Sequence, residues 1–94
     1  MTAVEVLLPG SLADLAGGER HLRVDAGGGT LRDVLDGLDA AHPVLGRRIR
    51  DEAGAIRRFV NVYVDGDDVR FAGGLGTAVP EGATVQVLPS VAGG

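Results

Sequence analysis

The sequence predicts an α+β fold, one main helix packed on one face of a mixed sheet of about five strands. Three features predict it. Apolar and polar residues alternate with period two near both ends and again past the middle. One intervening segment repeats with the helical period, and no linker, internal repeat or low-complexity tract divides the chain.

Taken in order, Val4, Val6 and Leu8 alternate with Glu5 and Leu7, a first strand ended by Pro9-Gly10. A loop through Gly17-Gly18 leads to Leu22 and Val24 between His21, Arg23 and Asp25, a second strand that forms a hairpin with the first. After Gly27-Gly28-Gly29, residues Leu31, Val34, Leu35, Leu38 and Ala41 recur at helical spacing. Thr30 suits the N-cap, Asp33 takes the acid position of a capping box, and His42-Pro43 stops the helix. Gly37 inside it costs about 1 kcal/mol relative to Ala and points to close packing there. An irregular, Arg-rich segment with Gly46 and Gly54 follows. Phe59-Val60-Asn61-Val62-Tyr63-Val64 is the clearest strand, Asp65-Gly66-Asp67-Asp68 a turn, and Val69-Arg70-Phe71 a short returning strand. Gly73-Gly74-Leu75-Gly76 carries the chain to a turn at Pro80-Glu81-Gly82, and Thr84 to Leu88 is the last strand. Hairpin, helix, hairpin and final strand in this length make the β-grasp, or ubiquitin-like, arrangement. The domain is expected over residues 1–89, with residues 90–94 as a flexible tail.

Composition excludes several functions. The 94 residues give one modest two-layer core and no room for an elaborate catalytic cleft. With three aromatics, Phe59, Tyr63 and Phe71, that core rests on Val, Leu, Ile and Ala. The absence of cysteine removes disulfides, thiolate catalysis and thiolate metal sites. Thirteen acidic against nine basic residues repel nucleic acid, and the cluster Arg47, Arg48, Arg50, Arg57 and Arg58, interrupted by Asp51 and Glu52, reads as a solvated charged surface. Lysine is missing. No membrane span or signal-peptide pattern is present, and a soluble, cytoplasmic protein is expected. Gly27-Gly28-Gly29-Thr30 lacks the Lys and spacing of a phosphate-binding loop. His21 and His42 have no companion at ligand spacing, and Asp65, Asp67 and Asp68 are too short a run for a calcium loop. No Ser, His and acid arrangement stands out.

The C-terminus carries the chemistry. Gly93-Gly94 follow a final strand with no helix or charge to tie them down, and glycine, lacking Cβ, can enter a channel that side chains would block. Extended, Ser90 to Gly94 reach about 17 Å at roughly 3.4 Å per residue, enough to enter another protein's active site.

Phe59-Val60-Asn61-Val62-Tyr63-Val64, Asp68-Val69-Arg70-Phe71, Gly73-Gly74-Leu75, Thr77, Gly82, Val85 and Leu88-Pro89-Ser90-Val91-Ala92-Gly93-Gly94 together resemble the MoaD/ThiS-type ubiquitin-like sulfur carriers, most of all their CysO-type, cysteine-biosynthetic members. The specific part of the resemblance covers the last third of the chain. It implies a group carrier that is not itself an enzyme and binds no cofactor. An E1-like, MoeB/ThiF-type activating enzyme would use ATP to adenylate Gly94, and sulfur would replace the adenylate to give a thiocarboxylate. Gly93, Ala92 and Val91 would thread the enzyme's channel. The implied acceptor is a pyridoxal-phosphate-dependent cysteine synthase acting on O-phosphoserine, with a zinc-dependent, JAMM-type protease releasing the product. A molybdopterin synthase small subunit, a sulfur donor for a thiosugar, thiazole or other secondary metabolite, and a ubiquitin-like binding module that is never activated fit the same tail.

Strand alternation adds a docking surface. If Val85 and Val87 face the core with Val4, Val6, Leu8, Val60, Val62 and Val64, then Leu7, Leu88 and Phe59 or Tyr63 point outward. In a β-grasp sheet the first, third and fifth strands adjoin, which gathers these side chains beside the tail. By the same resemblance, the position of Leu88 meets the activating enzyme.

Overall fold

Valine alternation builds the centre of the sheet. In a computed structural model that describes residues 3–25 and 28–89, β1 (Ala3–Leu7), β4 (Val60–Val64) and β7 (Thr84–Pro89) turn Val4, Val6, Val60, Val62, Val64, Val85 and Val87 to one face, where all are buried. Together with β2 (His21–Asp25) and β5 (Asp67–Asp68) they form a sheet of order β2-β1-β7-β4-β5. The central pair β1 and β7 is parallel and the other neighbours are antiparallel. A second, two-stranded sheet joins β3 (Gly29–Thr30) to β6 (Ala78–Val79). This is the predicted β-grasp arrangement.

Helix α2 (Leu31–Ala41) covers the valine face with Leu31, Val34, Leu35 and Leu38, all buried. Its start is the predicted capping box: the Asp33 carboxylate accepts from the Thr30 backbone N–H at 3.0 Å. Ala41, expected on the buried face, is exposed, because it lies at the last helical position. At Gly37 a Cβ would stand 2.8 Å from Val24 Cγ1, the close packing that the glycine signalled.

Three expected elements are corrected. The segment after β1, expected as loop, makes a helical turn, α1 (Gly10–Ala13), and a 3-10 turn (Asp14–Ala16) that bury Ala13 and Ala16. The irregular Arg-rich segment begins with α3 (Pro43–Ile49), because Pro43 sits in the first turn, where its missing N–H costs nothing. Val69–Phe71 is a 3-10 turn rather than a strand. The Asp65-Gly66 corner, with φ of 49° and 89°, returns the chain for two ladder positions only, Asp67 and Asp68. Asp68 then caps the turn by accepting from Arg70 N at 2.9 Å. The Arg70 side chain also bonds this carboxylate, and with its backbone N–H holds Asp68 below its usual carboxylate range.

Arg50, expected on a solvated surface, is buried between α2 and α3, donating to Asp36 at 2.9 Å and Asp39 at 2.7 Å. Gly46 leaves room for that arrangement. A Cβ there would overlap the Asp39 carboxylate and approach its Cα to 3.1 Å. Gly46→Ala should therefore lower stability by about 1–3 kcal/mol despite a helix-propensity gain of about 1 kcal/mol, because Asp39 must leave Arg50. A urea midpoint equal to or above that of the unaltered protein would show that Asp39 relaxes without cost.

Candidate functional site: the outer sheet face and the end of β7

With the valines facing α2, alternation sends the intervening residues of the same strands to the opposite face. The register places Leu7 of β1 beside Gln86 of β7, and Gln86 beside Tyr63 of β4, while Asn61 lies opposite Leu88. Neighbouring strands lie about 4.8 Å apart, so Leu7, Tyr63 and Leu88 share one face across three strands. All three are half-buried, as is Asn61.

Phe59 precedes β4 and is exposed. It lines a groove of about 270 Å³ with Ser11, Leu12, Leu15, Arg48, Val60 and Pro89. The groove lies between the α1 turn, α3 and the paired ends of β4 and β7. Val60 faces Pro89 in the ladder, so β4 holds β7 as far as Pro89. Sequence spacing gives no sign of Leu12, Leu15 and Arg48 at this place, apart from the three-residue interval between the two leucines.

Val91, Ala92, Gly93 and Gly94 lie outside the described residues. The structure places what they follow: β7 runs between β1 and β4, so its last residue, Pro89, stands in the middle of the sheet. Leu88 lies on the outer face next to Pro89, and Phe59 shares the groove with Pro89.

The outer face carries one unsatisfied group. Asn61 Oδ1 is buried and accepts no hydrogen bond from the described residues. A buried acceptor without a donor costs about 1–3 kcal/mol. Asn61→Leu should accordingly raise the urea midpoint, by the equivalent of about 1 kcal/mol, at unchanged m value. A lowered midpoint would mean that the Asn61 amide makes a contact worth more than its burial costs.

Two polar contacts near the sheet have structural roles. Asp65 accepts from Thr84 N at 2.9 Å and ties the β4–β5 corner to β7, while His21 lies 3.9 Å from Glu5 on an exposed strand pair. Among the described residues no group of three or more His, Cys, Asp or Glu is arranged to hold a metal ion. None of their helices is long and apolar enough to cross a membrane.

The ThiS family profile matches residues 6–94. The sulfur carrier protein CysO of Mycobacterium tuberculosis is 43% identical over 93 residues, covering 97% of this chain and 98% of that protein. Its crystal structure superposes with a TM-score of 0.83 at 40% identity, over 94% of this chain and 99% of the other. Small archaeal modifier protein 1 of Haloferax volcanii is 39% identical over 85 residues, 87% of this chain and 93% of that protein. The crystal structure of a BexX/CysO complex from Amycolatopsis orientalis contains a chain with TM-score 0.80 at 40% identity, covering 98% of this chain and all of that one. The chain belongs to the ThiS family of ubiquitin-like sulfur carriers.

Proposed function

We propose that this chain carries sulfur as a thiocarboxylate on Gly94 and delivers it for the synthesis of cysteine from O-phosphoserine. The observation that supports this reading best is the family match over residues 6–94, which brings Gly93-Gly94 into the shared pattern along with the β-grasp body from Val6 onward. The similarity to mycobacterial CysO over nearly the full length of both chains supports the cysteine branch.

A carboxylate resists nucleophiles through its charge and has no good leaving group. Attack of its oxygen on the α-phosphorus of ATP, with loss of pyrophosphate, gives an acyl-adenylate; a sulfur nucleophile then displaces AMP. Both steps belong to an E1-like activating enzyme of the MoeB/ThiF type. The thioacid formed is a stronger acid and a better nucleophile than the acid it replaces. In a partner synthase that uses pyridoxal phosphate, it would attack the serine-derived carbon from which phosphate has left. Transfer of the acyl group from sulfur to the new amino acid's nitrogen leaves cysteine attached through Gly94, and a zinc-dependent, JAMM-type protease would release it. The chain supplies the tail and the docking surface, and the catalytic groups are its partners'.

Intact mass tests both levels. After incubation with ATP, sulfide and an activating enzyme, the protein should gain the mass that exchanges one oxygen for sulfur. After a cysteine synthase and O-phosphoserine are added, it should carry one further cysteine residue. Loading without the cysteine adduct would retain the carrier and reject this acceptor. The similarity to small archaeal modifier protein 1 favours a second reading, conjugation of Gly94 to amines of other proteins. Without lysine, the chain could not extend such conjugates through side chains of its own.

A further inference from the structure

The groove beside the end of β7 differs in charge from the rest of the molecule. The chain is acidic, with a net charge of −4. Yet the groove and the pocket that shares Val60 with it are lined by Arg48, Arg57, Arg58 and Arg70 and by no carboxylate. Arg70 is engaged with Asp68 at 2.9 Å. Arg48, Arg57 and Arg58 make no ion pair among the described residues; Arg57 donates to a neutral partner, the Arg47 carbonyl, at 2.6 Å.

The fold puts these charges together. The backbone N–H of Arg57 donates to the Ile49 carbonyl at 2.9 Å, and Arg50 bridges Ile56, so the strand-like segment before β4 lies antiparallel to the end of α3. Arg48 lines the groove together with Phe59, which is 57% exposed, and Arg58, the next residue before Phe59, lines the adjoining pocket. Concentrating unpaired positive charge costs stability through self-repulsion, and an exposed phenyl ring beside these charges gains nothing from burial. Both costs are recovered against a partner that presents carboxylates around an apolar side chain.

We propose that this surface is a second docking site, separate from the outer sheet face. Its occupant is an acidic segment, carrying one bulky apolar side chain, of the enzyme that activates Gly94. The proposal rests on the carrier reading above. At about 270 Å³ the groove lies below the usual span of drug-sized ligand pockets and has room for a large side chain. Its walls of Leu12, Leu15, Phe59 and Pro89 suit an apolar anchor, and Arg48 in the groove and Arg58 in the adjoining pocket suit flanking carboxylates. Pro89 belongs to the groove wall, so an enzyme that receives residues 90–94 passes over it. Nucleic acid is the less favoured occupant, since the acidic body repels a phosphate chain that extends beyond the groove.

The test compares the unaltered chain with Arg48→Glu/Arg58→Glu and with Phe59→Ser in adenylation-dependent pyrophosphate exchange by the activating enzyme. Circular dichroism confirms that each variant folds. The double charge reversal should raise the KM for the carrier about tenfold or more, at unchanged kcat, and flatten its dependence on salt. Phe59→Ser should raise KM and leave the salt dependence as it was. Folded variants with unaltered KM would overturn the docking site and leave the carrier reading intact. So would tight, salt-sensitive binding of a poly(U) probe at these same residues together with unaltered KM. An unaltered chain that supports no exchange with any activating enzyme would count against the carrier reading, and the docking proposal would fall with it.

Discussion

Deletion of Gly94 should abolish sulfur loading while the fold melts where it did before. Every buried apolar residue among those described lies between Val4 and Val87, and a glycine has no side chain to add to a core. The expected change in Tm is under about 4 °C, the equivalent of less than about 1 kcal/mol in a domain of this size. Loading, in contrast, should fall to nothing, because the chain would then end on the Gly93 carboxylate, one residue or about 3.4 Å short of the place where the Gly94 carboxylate is adenylated. Gly93→Trp separates chemistry from access: Gly94 keeps its carboxylate, but the indole cannot follow the backbone through a channel shaped for glycine. It too should show native melting and no thiocarboxylate by intact mass. Full loading of the Gly94 deletion would show that the carboxylate need not stand at position 94; loading of Gly93→Trp alone would leave Gly94 as the site and remove the narrow channel.

The sheet and main helix were legible because each rests on a short-range period. Val4 and Val6, Val60 to Val64 and Val85 to Val87 show period two, and Leu31 to Leu38 shows the helical period, so the face that each buries is visible within a few residues. What escaped notice depended on partners distant in sequence or on residues with two roles. Pro43 follows the end of α2 and starts α3, and only its first role is evident from the preceding pattern. Arg50 resembles its solvated neighbours until Asp36 and Asp39, 14 and 11 residues earlier, are seen to enclose it. Val69–Phe71 has strand-forming residues, but the carboxylate of Asp68 captures the next turn locally. The groove was hidden for the same reason. Leu12, Arg48, Phe59 and Pro89 come from four separate parts of the chain, and nothing in their spacing joins them.

Two neighbours on β7 should respond oppositely to the same substitution. Val87 is fully buried on the face covered by α2, whereas Leu88 is half-buried on the other face. Val87→Glu would place a carboxylate among Leu and Val side chains without a partner. Burial of an unpaired ionised group costs far more than an unpaired neutral one, and a loss of several kcal/mol is comparable with the whole stability of a small domain, about 5–15 kcal/mol. That variant should lose its cooperative transition, or keep it only at low pH, where the carboxyl is neutral. Leu88→Glu should melt cooperatively within a few degrees of the unaltered protein, because its new charge reaches water. Its defect should appear on docking: desolvation of a carboxylate in an apolar contact would weaken association with the activating enzyme by about 1–3 kcal/mol, or roughly 5- to 150-fold. The contrast tests the strand parity and the interface together. A Leu88→Glu variant that fails to fold would put Leu88 in the core, and a folded one with undiminished affinity would remove Leu7, Tyr63 and Leu88 from the enzyme-facing surface.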